Sequence, residues 1–94
     1  MTIGILTVDI MIPMALSLKE KRRALKSLKE RLKAAFNISV AETDHHEKWQ
    51  RAKIVIVNVD IDKTHAQNQL DKAMDFIDRF DRVQILDNKI ELIN

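Results

Sequence analysis

From Ile3 to Ile12 the side chains alternate, with Leu6, Val8, Ile10 and Ile12 on one side and Ile3, Ile5, Thr7, Asp9 and Met11 on the other. That period of two predicts a β-strand. Pro13 has no amide to donate and ends the pairing. Ser17, followed three residues later by Glu20, forms a capping box that opens a helix. Leu18, Leu25, Leu28, Leu32, Ala35 and Phe36 then recur at spacings of three, four and seven, an apolar stripe for the core, while Lys19, Arg23, Lys26 and Lys33 face away. Asn37 breaks the helix. Ile38, Val40 and Glu42 begin a short alternating strand that runs into a polar loop from Thr43 to Lys48.

Residues 52–59, Ala-Lys-Ile-Val-Ile-Val-Asn-Val, are apolar on both faces and read as a central strand, covered on both sides or on one side plus a partner. Asp62 or Thr64 caps a second helix whose stripe is Ala66, Leu70, Ala73, Met74, Ile77 and Phe80. Val83 to Leu86 and Ile90 to Ile93 read as a last strand kinked near Asp87 and Asn88. The order is β-α-β-β-α-β. Two right-handed crossovers would place both helices on one face of a four-stranded antiparallel sheet, an α+β, ferredoxin-like fold spanning residues 1–94 as a single domain.

Composition agrees with a packed domain. The chain of 94 residues is 46% hydrophobic and 32% charged, with one Gly and one Pro, which excludes a linker or disordered tail. It has no Cys, hence no thiol nucleophile, disulfide framework or Cys-based zinc site, and a reducing compartment such as the cytoplasm is expected. No apolar run approaches the roughly 20 residues of a spanning helix, and neither a membrane anchor nor a targeting segment is expected.

Charge changes the picture more. Residues 17–33 carry eight Lys/Arg and two Glu, a net +6 in a chain whose total is +2, so all other residues together sum to −4. Lys19, Arg22, Arg23, Lys26, Lys29 and Lys33 form an outward basic ridge. A solvated face usually mixes signs in Glu-to-Lys pairs, whereas here like charges stand three and four apart, each pair costing about 0.2–0.5 kcal/mol of helix stability. Cations near the first turn also oppose the helix dipole. An anion would relieve both, and the expected partner is RNA or the ribosome, bound by phosphate neutralisation. Four to five such contacts give a log-log salt slope of about −3 to −4. Base readout on the sheet is not expected, because no aromatic falls on the strands.

Three segments, Ser17-Leu-Lys-Glu-Lys-Arg-Arg, Asn37-Ile-Ser-Val-Ala-Glu42 and Trp49-Gln-Arg-Ala52, resemble the YlxP-like family of small bacterial proteins, a domain of unknown function. The resemblance spans nearly the whole chain. It implies a ferredoxin-like fold and a gene neighbourhood shared with translation initiation and ribosome-binding factors, which favours RNA over DNA. It brings no catalytic or binding residues.

Other features admit more than one reading. Ile3 and Ile5, joined by either Ile54 and Ile56 or Val55 and Val57, leave an apolar patch on the open sheet face that suits a homodimer or a protein-interaction scaffold. Asp9 and Asn58 are placed to rim that patch or to pair with each other. His45 and His46, with Asp44 and Glu47, are the only metal-ligand types in a row, yet neighbours on an extended loop diverge without a special turn, so no metal and no cofactor are expected. His65, near Asp62, suits capping or packing. Trp49 reads as a core or loop anchor, with base stacking as the alternative because Lys48, Arg51 and Lys53 surround it. An acylphosphatase-like enzyme would use Asn58 and a phosphate loop after the first strand, but Pro13 to Ser17 has neither Arg nor Gly, and no catalysis is expected.

Overall fold

The computed structural model describes residues 1–94. It has β1 (Thr2–Met11), α1 (Leu18–Ala35), β2 (Ser39–Asp44), β3 (Arg51–Asp60), α2 (Lys63–Arg79) and β4 (Gln84–Ile93). The four strands make one antiparallel sheet in the order β2-β3-β1-β4, with both helices closing the same face. This is the ferredoxin-like arrangement expected from the sequence.

Each element follows from its local chemistry. Strand β1 alternates strictly between buried and half-buried residues, and Leu6, Val8 and Ile10 are completely enclosed. They meet Ala52, Ile54 and Ile56 of β3, so the ambiguous strand resolves with Ile54 and Ile56 inward and Val55 and Val57 outward. Leu25, Leu28 and Leu32 of α1 and Leu70, Ala73 and Ile77 of α2 complete a core cluster of 17 residues. Ser17 Oγ accepts from Glu20 N at 3.2 Å, the first half of the capping box. Glu20 reaches one residue further back than the box requires, accepting from Leu16 N at 2.5 Å. Asp62, not Thr64, caps α2, accepting from Thr64 N at 3.1 Å.

The kink expected near Asp87 is a β-bulge. Asp9 pairs with Asp87 but Ile10 pairs with Ile85, leaving Leu86 as the extra residue, pushed outward and exposed. The polar segment expected as a loop from Thr43 starts later, because Thr43 and Asp44 extend β2 past an irregularity opposite Lys53. Three residues of the anticipated α1 stripe sit outside the core: Leu18 and Phe36 are only half-buried and Ala35 is exposed.

Asn58 corrects a second expectation. Instead of rimming the open face beside Asp9, it points to the helix side, 4% exposed, and its Nδ2 donates to Ala66 O at 3.1 Å. Its register partner on β1 is Gly4. A Cβ at Gly4 would fall on Asn58 Oδ1 and within 2.8 Å of Leu70 Cδ1, so the single glycine makes room for the carboxamide. Gly4→Ala should cost about 1–3 kcal/mol by overpacking. Asn58→Ala in the same chain should return part of that loss by clearing the contact. Urea unfolding of both single variants and the double variant checks this, and strictly additive effects would contradict it.

Candidate polyanion-binding face

A straight α-helix turns 100° per residue, so Lys19, Arg22, Arg23, Lys26, Lys29 and Lys33 fall within about 120° of arc and extend about 21 Å along α1. All are exposed except Lys29, which is half-buried. Their only carboxylate neighbour is Glu30, 4.0 Å from Lys26 Nζ, with both side chains largely in solvent. Lys19, Arg22, Arg23, Lys29 and Lys33 have no carboxylate within 4.0 Å. The six residues singled out from the sequence therefore lie together, with almost no internal charge compensation.

The two remaining cations of the segment do different work. Arg31 lies on the flank facing α2, its guanidinium 5.5 Å from the centre of the Phe80 ring. Lys21 turns inward and is 1% exposed. Its Nζ stands 2.9 Å from Glu42 Oε2 on β2 and donates to the carbonyl of His45 at 2.6 Å. The Glu42 contact is ionic, since Oε2 has no well-aligned donor. Lys21 was missed as a core residue because its type is polar, yet positions 21, 25, 28 and 32 share the 4-3-4 spacing of the stripe.

Lys21 also fixes the loop between β2 and β3. His45 takes the left-handed conformation, with φ of 63°, the special turn an adjacent His pair needs to change direction. Its carbonyl accepts from both Lys21 and Lys48 N, the latter at 3.0 Å. On the other side of the strand, His45 Nε2 lies 3.7 Å from Asp9 Oδ1, the oxygen that accepts from Arg51 Nη2 at 3.1 Å. His46 instead contacts Glu42 O at 3.2 Å. The two imidazoles thus serve separate partners, and no group of three His, Asp or Glu is placed to hold a metal ion. The amide of His45 hydrogen-bonds Asp44 and, with the His45 charge, holds that carboxyl below its ordinary value.

At its far end the same loop is sewn to the β1–α1 connection. Gln50 Nε2 donates to Pro13 O and Ala15 O, each at 3.1 Å, and Ile12 N donates to Gln50 O at 2.9 Å. Trp49, next to this clamp, is 54% exposed, which overturns the core half of the core-or-loop anchor expected for it. His65, expected near Asp62, pairs with Asp60 instead. The Asp60 carboxyl sits below its usual range mainly because Asp62 N donates to it, with His65 adding to the effect.

A family model, "Protein of unknown function (DUF503)", matches residues 3–90. The "Uncharacterized protein YlxP" of Bacillus subtilis (strain 168) is 34% identical over 68 residues, covering 72% of this chain and 74% of that protein. Among solved structures, a "De novo designed protein Foldit4" overlays with a TM-score of 0.55 at 12% identity, over 100% of this chain and 98% of the design; that likeness shows the fold alone. A C-terminal segment of the alpha subunit of aIF2 from Pyrococcus abyssi reaches a TM-score of 0.49 at 19% identity, over 100% of this chain and 49% of that one, too distant to carry an argument. The chain belongs to the DUF503 family, in agreement with the resemblance of its three sequence segments.

The Lys21–Glu42 contact generates a test. Removing one partner strands a charge, so Lys21→Met or Glu42→Leu should each destabilise, by about 3–5 kcal/mol for a fully enclosed pair and less here because Glu42 retains some solvent. The double replacement should recover most of the loss. Thermal and urea unfolding read the cycle, and a double variant as weak as the sum of the singles would contradict the pairing.

Proposed function

We propose that this DUF503 protein is a non-catalytic RNA-binding accessory protein, acting on RNA free or in the ribosome, that engages phosphates through the exposed ridge of α1. The observation that carries the reading is the set of uncompensated cations: five of the six ridge residues have no carboxylate partner. Their mutual repulsion is a standing cost that a phosphate backbone would relieve, with release of the counterions it carries. The outward sheet face offers Ile3, Ile5, Thr7, Val55 and Val57 and no aromatic ring, which favours backbone contact over base stacking on the strands. Asn58, the residue an acyl-phosphate enzyme would need, is enclosed and bonded to Ala66 O.

A second reading concerns self-association and is compatible with the first. Register places Ile3 beside Val59 and Ile93, and Ile5 beside Val57, on the face that no helix covers. Val59 and Ile93 are exposed. The opposite end of that face mixes Asp9, Asp87, Lys53 and Lys89. A two-fold axis through the apolar end would bury valine and isoleucine against their copies and leave charges of both signs at the rim. Such a homodimer would turn both α1 ridges outward.

The two readings separate experimentally. Arg22→Glu with Lys26→Glu should abolish retention of RNA at low salt while circular dichroism and unfolding stay near wild type; unchanged retention would remove the RNA reading. Ile5→Asp or Val57→Asp should shift a dimer to monomer in sedimentation. A dimer that persists in both variants would place the interface elsewhere.

A further inference from the structure

Three large apolar side chains stand in solvent at the end of the molecule where α1 begins: Met14 at 83%, Leu16 at 71% and Trp49 at 54% exposure. They come from two loops, yet those loops are one unit. The Gln50 carboxamide binds the carbonyls on either side of Met14, those of Pro13 and Ala15, and the Gln50 carbonyl accepts from Ile12. From beneath, Lys21 fixes His45 O, four residues before Trp49. Trp49 is therefore held on a pinned loop and not on a free one. Lys48 and Arg51 flank it, and the ridge begins at Lys19, three residues after Leu16, within about 11 Å along the chain.

We infer that Trp49 is a stacking platform for an unpaired RNA base, set at the N-terminal end of the α1 ridge so that one single strand places its base on the indole and its following phosphates on Lys19, Arg22 and Lys26. The inference rests on the RNA reading above and names the form of RNA that reading takes. Charge complementarity favours this occupant, because the apolar surface is small, carries an indole and continues into Lys19, Arg22 and Lys26, of which only Lys26 has a carboxylate, that of Glu30, within 4.0 Å. A membrane surface fits less well, since Leu25, Leu28 and Leu32 of α1 are consumed by the core and Met14, Leu16 and Trp49 are the only large hydrophobic side chains exposed at this end. RNA is favoured over DNA because its loops and ends present unstacked bases, which duplex DNA does not.

Trp49 is the only Trp in the chain, so its fluorescence reports the site directly. The intact protein is titrated with an oligouridylate of about 12 nucleotides, within the size range of single-strand sites, and in parallel with inorganic polyphosphate and with anionic phosphatidylserine vesicles. The oligouridylate should quench the indole, and Trp49→Leu should weaken its binding by about 5- to 150-fold, measured by anisotropy of the labelled RNA. Trp49→Phe should restore most of the affinity. Polyphosphate should bind wild type and Trp49→Leu equally and leave the indole unquenched. RNA binding with unchanged fluorescence and unchanged Trp49→Leu affinity would overturn the stacking site while leaving the ridge in place. Failure of both polyanions to bind would bring down the ridge reading itself. A blue shift with vesicles, together with weaker response to RNA, would assign the surface to lipid and overturn the inference.

Discussion

The arrangement of the basic end of this molecule depends on one buried ammonium group. Lys21 occupies a core position of α1, and an enclosed charge persists only when paired and hydrogen-bonded. Glu42 and the His45 carbonyl provide that pairing, so the helix, the β2 edge and the loop after it are locked in register. The lock orients the rest of α1. With Lys21 facing inward, Arg22, Lys26, Lys29 and Lys33 must face outward, and one helix separates a buried, paired cation from an outward row.

That separation explains why the charge is available. A helix whose cations were matched by neighbouring acids would be self-sufficient, whereas here carboxylates reach the cations of α1 only at Lys21 and Lys26, and the other acidic residues stand out of reach. Several of them are already engaged: Asp9 with Arg51, Asp60 with His65 and Asp62 N, and Glu91 with Lys89, whose ammonium pKa it raises. The core sits between the helices and the sheet. It leaves two surfaces unspent, the ridge on one layer and the valine-isoleucine face on the other, so two kinds of association can coexist without competing for area.

The fold was legible because its periodicities are clean. The inward set Leu6, Val8 and Ile10 and the stripes around Leu28 and Leu70 can each be counted along the chain, and both N-caps carry residues suited to capping. The face of β3 was not, because Ile54 and Val55 are equally apolar; the observed face places Asn58, with Leu70, in the space opposite Gly4, a long-range constraint. The ridge could be counted in the same way, but Lys21 could not be told from its neighbours by type, and the pinned loop that exposes Trp49 is built from backbone carbonyls meeting Lys21 and Gln50, which leave no local sequence pattern.

Polyanions are proposed to meet the protein along α1 and the loop clamped to it. Mapping amide shifts of the isotope-labelled protein on addition of single-stranded RNA tests this placement most directly. Perturbations should group over Leu16 to Lys33 and His46 to Arg51, with the amides of α2 and β4 unmoved. Shifts concentrated on Ile3, Ile5, Val55 and Val57, or none at saturating RNA, would contradict it.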